Sequence, residues 1–429
     1  MKQRTAILLI IIGALILILG YPWTLLAFSC VALVLLFIYR HYWPDKDYYG
    51  PYLRFDAEDC TKMALTWIVI NPKLQVNQKY VIIEYSEDPS FLNSHEQQSQ
   101  SLIKLKGRYY YHFQLEDLAP NTLHYYRLQF VSNEEKKVYL QRADMVFKTR
   151  PHDDEKIQTS FVIYGDDQTQ DWIPVLAQLT LHAIRKENPD FIIHLGDMNQ
   201  HVWKPNENNT FFTTKRKLFR STPYLPVIGN HDVKGVNDKP DVFDYYRAFF
   251  AIPNWYAFLF GKDLLFIILS SEDTYKPNTN GQYEFFQQKL AYGQDTERFI
   301  IICSHAGPYN IEKQEREEQR ITEIRKYIVP LLEESVKHGY SNIILFSGHI
   351  HTYEHIMVNK INYLTVGACS NAKYYSKLQD TENARYTTEN LVKEYGKQSF
   401  AVLSFKNDTL IIEIKNIFNQ TIDFLAYKK

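Results

Sequence analysis

The residues with ligand chemistry fall in five short runs. Gly165-Asp166-Asp167-Gln168, Gly196-Asp197-Met198-Asn199-Gln200, Gly229-Asn230-His231-Asp232, Ser304-His305-Ala306-Gly307-Pro308 and Gly348-His349-Ile350-His351 each follow a short apolar segment. Seven of the chain's 14 histidines lie in or beside these runs: His194, His201, His231, His305, His349, His351 and His355. Carboxylate oxygen and imidazole nitrogen together suit borderline ions such as Zn, Mn and Fe. The flanking glycines let the backbone turn sharply off each strand. Asp, Asp, Asn, His, His and His suffice for two metals if one Asp bridges, and two ions roughly 3.5–4 Å apart can clamp a phosphate and generate hydroxide from water. Any one run alone is an ordinary strand-end turn. Five in order, each closing an apolar segment, point to one site.

The elements that must position these runs begin at Lys156. Apolar segments at Phe161–Tyr164, Phe191–Leu195, Leu225–Ile228, Leu264–Leu269, Phe299–Cys303 and Ile343–Phe346 read as buried strands. A helix carries Ile173, Leu176, Ala177, Leu181 and Ile184 on one face, and a second carries Ile321, Ile324, Ile328, Leu332 and Val336. This is an α/β pattern with its polar chemistry just after the strands. Strands at Phe400–Phe405 and Thr409–Ile414 close the domain. Residues 51–150 read differently: Met63–Ile70, Lys79–Tyr85, Tyr109–Leu115 and His124–Phe130 are short strands with turns between them, as in a β-sandwich. No catalytic residue types group there, and the segment is expected to be a spacer or wall.

The chain has 429 residues, 45% hydrophobic and 23% charged, which excludes a disordered, collagen-like or coiled-coil protein. Its net charge of −1 gives no argument for a nucleic-acid partner. Four cysteines without a CxxC pair leave no zinc ribbon or disulfide framework. Residues 5–39 form an uncharged run of 35, interrupted at Gly20-Tyr21-Pro22-Trp23, and are expected to enter the lipid bilayer as a helical hairpin. Lys2 and Arg4 before it, and Arg40, His41 and Lys46 after it, put both ends and the catalytic domain on the cytoplasmic side by charge bias.

The series Gly-Asp, Gly-Asp, Gly-Asn-His-Asp, His, Gly-His-x-His resembles the calcineurin-like metallophosphoesterase family. With a sandwich in front, and with Gly348–Glu354 and Tyr363–Ala368, the chain is similar to the purple acid phosphatase branch. Leu115–Leu128 resembles a fibronectin type III corner. The resemblance implies an αββα sandwich over 156–429 with two metal ions, Fe, Mn or Zn. By motif, Asp166, Asp197 and His351 would hold the first ion, with Asp197 bridging, and Asn230, His305 and His349 the second. His231 would be the catalytic histidine beside the phosphate, and a metal-bound hydroxide the nucleophile. The family often has His where Gln168 stands, and the purple branch has a Tyr ligand where Gln200 stands; both glutamines are weak amide-oxygen ligands at most. The purple branch also carries a histidine downstream of the His305 run, and residues 311–337 contain none. Members of that branch generally work outside the cytoplasm, against the charge bias.

The expected function is that of a membrane-anchored binuclear phosphoesterase acting on a small phosphomonoester, like an acid phosphatase. A phosphodiesterase of nucleotides or lipid head groups would use the same metal clamp. A basic cluster for a second phosphate is not evident: Lys215, Arg216, Lys217 and Arg220 read as a solvated helix face. A catalytically weak scaffold or receptor, binding a partner through the sandwich, is the alternative from another class.

Overall fold

Two β-layers at the front of the chain come from residues whose alternating or continuous apolar character demands cover on one face or both. The computed structural model describes residues 48–70, 78–105, 107–132, 136–170, 175–233, 243–311, 319–370 and 390–429. The first strands are β1 (Tyr48–Phe55), β2 (Met63–Val69), β3 (Gln78–Ser86), β4 (His95–Gln98), β5 (Ser101–Leu105), β6 (Arg108–Leu115), β7 (Leu123–Ser132), β8 (Lys136–Leu140) and β9 (Val146–Lys148). They form one sheet in the order β1-β2-β6-β5 and another in the order β4-β3-β7-β8, with β9 beside β7. Trp67 of β2 lies against Phe130 of β7 with ring centroids 5.1 Å apart, so the two sheets face each other across an aromatic layer.

The remaining strands build two larger sheets. One runs in the order β12 (Tyr224–Pro226), β11 (Ile192–His194), β10 (Thr159–Tyr164), β20 (Ser399–Lys406), β21 (Thr409–Asn416), β22 (Thr421–Lys428). The other runs β13 (Tyr256–Phe260), β14 (Leu264–Ile268), β15 (Phe299–Ser304), β16 (Ile343–Ser347), β18 (Ile361–Val366), β17 (Tyr353–Val358), β19 (Leu391–Tyr395). Phe161 meets Phe266 at 5.2 Å and Phe299 meets Phe405 at 5.8 Å, so these sheets also pack face to face. The helices are α1 (Val175–Lys186), α2 (Pro205–Phe219), α3 (Asn230–Val233), α4 (Phe243–Phe250), α5 (Gln282–Asp295), α6 (Gln319–Glu323) and α7 (Val329–Lys337), with a π-helical turn at Ile324–Ile328. α1 packs on β20 from one side, and α5 and α7 on β14, β15 and β18 from the other. The α/β part is therefore layered αββα.

Strands β10, β11 and β12 are parallel neighbours, as are β14, β15, β16 and β18. Their carboxyl ends share one edge of the molecule, where open α/β sheets place ligands. The sandwich is more than a spacer. Tyr52 of β1 donates its hydroxyl to the Tyr224 carbonyl at 2.5 Å, and Arg54 donates to the carbonyls of Phe250 and Ala251 at 3.0 and 2.6 Å. Tyr52 also meets Phe219, Tyr224 and Phe250 edge-on, so both parts share one aromatic core.

Cys60, Cys303 and Cys369 are buried free thiols, as expected; Cys30 and the hairpin expected over residues 5–39 lie outside the described residues. Among the described residues, no helix is long and apolar enough to cross a membrane.

Candidate metal centre

Three of the five runs leave their strands with strained backbone. Asp166, Asp197 and His349 have φ of 60°, 56° and 69°, a left-handed region that non-glycine residues seldom occupy. Gln168 is there too, at 38°. Such strain is held only where surrounding contacts dictate it. Two glycines make room. A Cβ on Gly229 would overlap Asp197 N and Oδ1, and one on Gly348 would overlap Asp166 Oδ2.

The structure brings the expected site residues together. Asp166, 1% exposed, accepts the His349 N–H at 3.0 and 3.2 Å, and its Oδ1 lies 3.6 Å from His351 Nε2. Asn230 Oδ1 lies 3.0 Å from His305 Nε2 and 3.1 Å from His349 Nδ1. Asp197 Oδ1 is 3.3 Å from His305 Nε2 and accepts the His231 N–H at 2.8 Å. Ligand atoms of Asp197, His305 and His349 lie within 4.8 Å of one another.

One hydrogen bond decides what this arrangement favours. His305 Nδ1 lies 2.7 Å from the Leu195 carbonyl, which only accepts, so Nδ1 carries the proton. In the neutral ring Nε2 is then a lone pair, and it faces two further acceptors, Asn230 Oδ1 and Asp197 Oδ1. Acceptors converging in a buried place call for a cation, and a backbone carbonyl behind the imidazole is the usual support of a metal-binding histidine. The same acceptors favour positive charge on the His305 ring itself where no ion is bound. Burial drives the Asp166 carboxyl well above its ordinary range, against the pull of His305 and with the push of Asp197. Burial opposes charge on His305, but Asp197 and then Asp166 overcome it and raise its pKa to about 10.

His231 stands at the rim, its side chain 17% exposed. Its Nδ1 is 2.9 Å from the Gln200 carbonyl, leaving Nε2 3.9 Å from Asp197 Oδ2. Gln168 Nε2 donates to Asp197 Oδ2 at 3.3 Å, and Gln200 Nε2 lies 3.3 Å from His231 Nδ1. In this structure both amides thus turn their nitrogens toward the site.

A family model for calcineurin-like phosphoesterases matches residues 151–353. Over those residues the chain resembles calcineurin-like phosphoesterases. Purple acid phosphatase 1 of Ipomoea batatas is 25% identical over 339 residues, 71% of this chain and 65% of that protein. Purple acid phosphatase 21 of Arabidopsis thaliana is 24% identical over 259 residues, 57% of this chain and 52% of that protein. The chain thus spans about half to two thirds of these relatives' length. Purple acid phosphatase PPD1 from yellow lupin seeds has the same fold, with a TM-score of 0.73 and 16% identity over 90% of this chain and 75% of that one. So does PhoD, with a TM-score of 0.64 and 12% identity over 89% of this chain and 91% of that one.

Three of the seven histidines serve elsewhere. His194 Nε2 bonds Asp167 at 3.0 Å, His201 Nδ1 bonds Glu207 at 2.9 Å, and His355 Nδ1 bonds Asp423 at 3.0 Å. The solvated face expected of Lys215, Arg216, Lys217 and Arg220 is corrected for two of the four, Lys217 being exposed and Arg216 half-buried. Lys215 is buried and pairs with Asp167 at 2.8 Å, and the buried Arg220 pairs with Asp144 at 2.6 Å. Lys215 points inward because the buried Asp167 carboxylate needs a counter-charge. Asp232 is a residue that the sequence quoted without a role. It accepts the N–H groups of Asp197 at 2.8 Å, Met198 at 2.9 Å and Gly229 at 2.9 Å, so it ties two ligand loops together. Burial and then the Asp197 charge push its pKa up to about 7. Its only sequence signal was its place in the Asn-His-Asp run.

Proposed function

We propose that this chain hydrolyses a small phosphomonoester at a two-metal site. The convergence of His305 Nε2, Asn230 Oδ1 and Asp197 Oδ1 carries the reading, because three acceptors share one buried space. Asp166, Asp197 and His351 would hold one ion, and Asn230, His305 and His349 the other, with Asp197 shared. Ions bound there supply Lewis acidity to the phosphoryl oxygens and lower the pKa of a coordinated water.

The chain's own groups do the rest. His231, with Nδ1 fixed by the Gln200 carbonyl, offers Nε2 to hold or pass a proton at the leaving oxygen. Asp232 keeps the Asp197 and Gly229 turns in register, and the Leu195 carbonyl keeps the His305 ring in plane. Residues 51–150 form a fibronectin type III-like wall, and residues 5–39 anchor the protein in a bilayer by their uncharged length.

Metal analysis of purified protein, together with a phosphoester panel run with Mn, Zn and Fe, tests the reading. About two ions per chain and metal-dependent release of phosphate are expected. Fewer than about one ion per chain, without turnover of any phosphoester, would leave the scaffold reading in its place.

A further inference from the structure

The Gln200 carbonyl that holds His231 belongs to a loop fastened from outside the metal centre. On one side the loop pairs with the first carboxylate run: Thr169 donates its N–H to the Met198 carbonyl at 3.1 Å, and Gln200 donates its own to the Thr169 carbonyl at 3.0 Å. On the other side it meets the first turn of α2. Asn199 Nδ2 donates to Asn208 Oδ1 at 2.8 Å, and Asn208 Nδ2 donates to the Val202 carbonyl at 2.8 Å. Glu207, 2% exposed, accepts the His201 N–H on Oε2 at 2.5 Å; its Oε1 lies 2.9 Å from His201 Nδ1 and accepts from Lys204 Nζ at 3.2 Å. The start of α2 is itself braced by the sandwich. Arg108 of β6 donates to the Pro205 carbonyl at 2.9 Å and to Asn209 Oδ1 at 2.7 Å, and Tyr49 of β1 stacks on Phe212 at 5.7 Å.

The N–H that Glu207 accepts and the carbonyl that His231 meets are the two ends of one peptide group, Gln200–His201. A peptide group is planar, with its N–H and C=O directed oppositely, so a grip on the N–H aims the carbonyl. A glutamate in the third position of a helix commonly returns to the N–H of the capping residue. Here the Lys204 N–H goes to the His201 carbonyl at 3.0 Å instead, and Glu207 reaches past it to the loop. A charged acceptor makes such a bond roughly twice as strong as a neutral one. We propose that Glu207 is a positioning residue for His231: it grips the Gln200–His201 peptide from behind and so aims the carbonyl that holds the His231 ring for proton transfer to the leaving oxygen. The inference rests on the phosphoesterase reading and adds to it a residue outside the ligand set.

The test uses the metal-loaded full chain with Glu207→Ala and Glu207→Gln, each in the wild-type and His231→Ala backgrounds, on phenyl phosphate and nitrophenyl phosphate. Glu207→Ala should keep its metal and its KM and lower kcat on phenyl phosphate by about tenfold to 10²-fold, the cost of a small misplacement. The loss on nitrophenyl phosphate should stay within about threefold, because its leaving group needs little protonation. Glu207→Gln fills the same space and keeps an acceptor for the His201 N–H, so it should recover part of the loss with the same dependence on the ester. In the His231→Ala background Glu207→Ala should cost less than about twofold, since residues that act as one unit are not additive. NMR of protein carrying isotope-labelled histidine gives a readout without turnover: the wild type should hold the His231 proton on Nδ1, and Glu207→Ala should show both tautomers. A loss of metal, an equal loss on both esters, a loss that persists in the His231→Ala background, or an unchanged tautomer overturns the positioning role and leaves the phosphoesterase reading intact. A Glu207-dependent tautomer in a chain that hydrolyses no ester supports the positioning of the ring and overturns the phosphoesterase reading.

Discussion

Lys215→Met removes one partner of an ion pair with no access to water. Lys215 Nζ is 2.8 Å from Asp167 Oδ2, with side chains 1% and 0% exposed. Breaking such a pair on one side costs about 3–5 kcal/mol, because the other charge is left buried. Asp167 keeps His194 Nε2 at 3.0 Å and Cys369 Sγ at 2.9 Å, which places the loss toward the lower end, about 3 kcal/mol. The methionine side chain still fills the space beside the Phe211 ring, so little of the loss should come from a cavity. The loss should also depend on pH. In the wild type burial works to raise the Asp167 carboxyl, but Lys215 and then His194 hold it well below the usual carboxylate range. Without Lys215, burial should raise it above its unfolded value. Stability is then lost as pH rises from about 4 toward 7, where the carboxylate must ionise in place. Urea unfolding at pH 5 and pH 7.5 reads both effects. Asp167→Asn in the Lys215→Met background should recover most of the loss at pH 7.5, since a neutral amide needs no counter-charge. A loss under about 1 kcal/mol, or a double variant weaker than Lys215→Met alone, refutes the reasoning.

His231→Ala should keep its metal and lower turnover roughly 10²–10⁴-fold, less for esters with good leaving groups, as metal analysis and kinetics would show. Gly229→Ala, whose Cβ would collide with Asp197, should lose metal, measured by equilibrium dialysis. Iron-loaded protein should lack an intense visible band, because the amide of Gln200 stands where the purple branch has its tyrosinate; an absorption spectrum checks this. His112 is pushed down to about 4 by burial and then by the Arg54 charge. Its folded pKa therefore lies below the unfolded value near 6.5, and stability should fall by about 3 kcal/mol as pH drops through that window. In His112→Gln the urea midpoint should fall less between pH 7 and pH 4.5.

The candidate metal centre was legible in the sequence where its geometry is local. A ligand residue sits one to four positions beyond a strand, and the apolar strand and its glycine announce the turn together, as at Ile163–Asp166 and Phe346–His349. What escaped depends on partners distant in sequence. Lys215 lies on a helix whose buried set includes Glu207, Asn208 and Thr213, so no apolar stripe marks its inner face. Its partner Asp167 is 48 residues away, and the sequence offers no rule that pairs them. Arg320 and Glu272 are likewise 48 apart, on elements brought together by sheet order. The sandwich was legible as strands, but its attachment was not, because Tyr52 reads as any strand aromatic until β12 lies beside it.

That attachment bears on how such a protein can change over time. A module joined by a linker can be exchanged or deleted by recombination at a domain boundary. Here the Tyr224 carbonyl on edge strand β12 is satisfied by the Tyr52 hydroxyl, and Arg54 and Arg108 reach carbonyls or amides on α2 and α4 or just past them. Excising the front sheets would expose an aromatic face and a bare sheet edge at once, a combination prone to self-association. Recombination events that separate the two parts should therefore be filtered out by folding before activity is ever selected. Descendants of this chain are bound to diversify through their strand-end loops rather than by trading the sandwich.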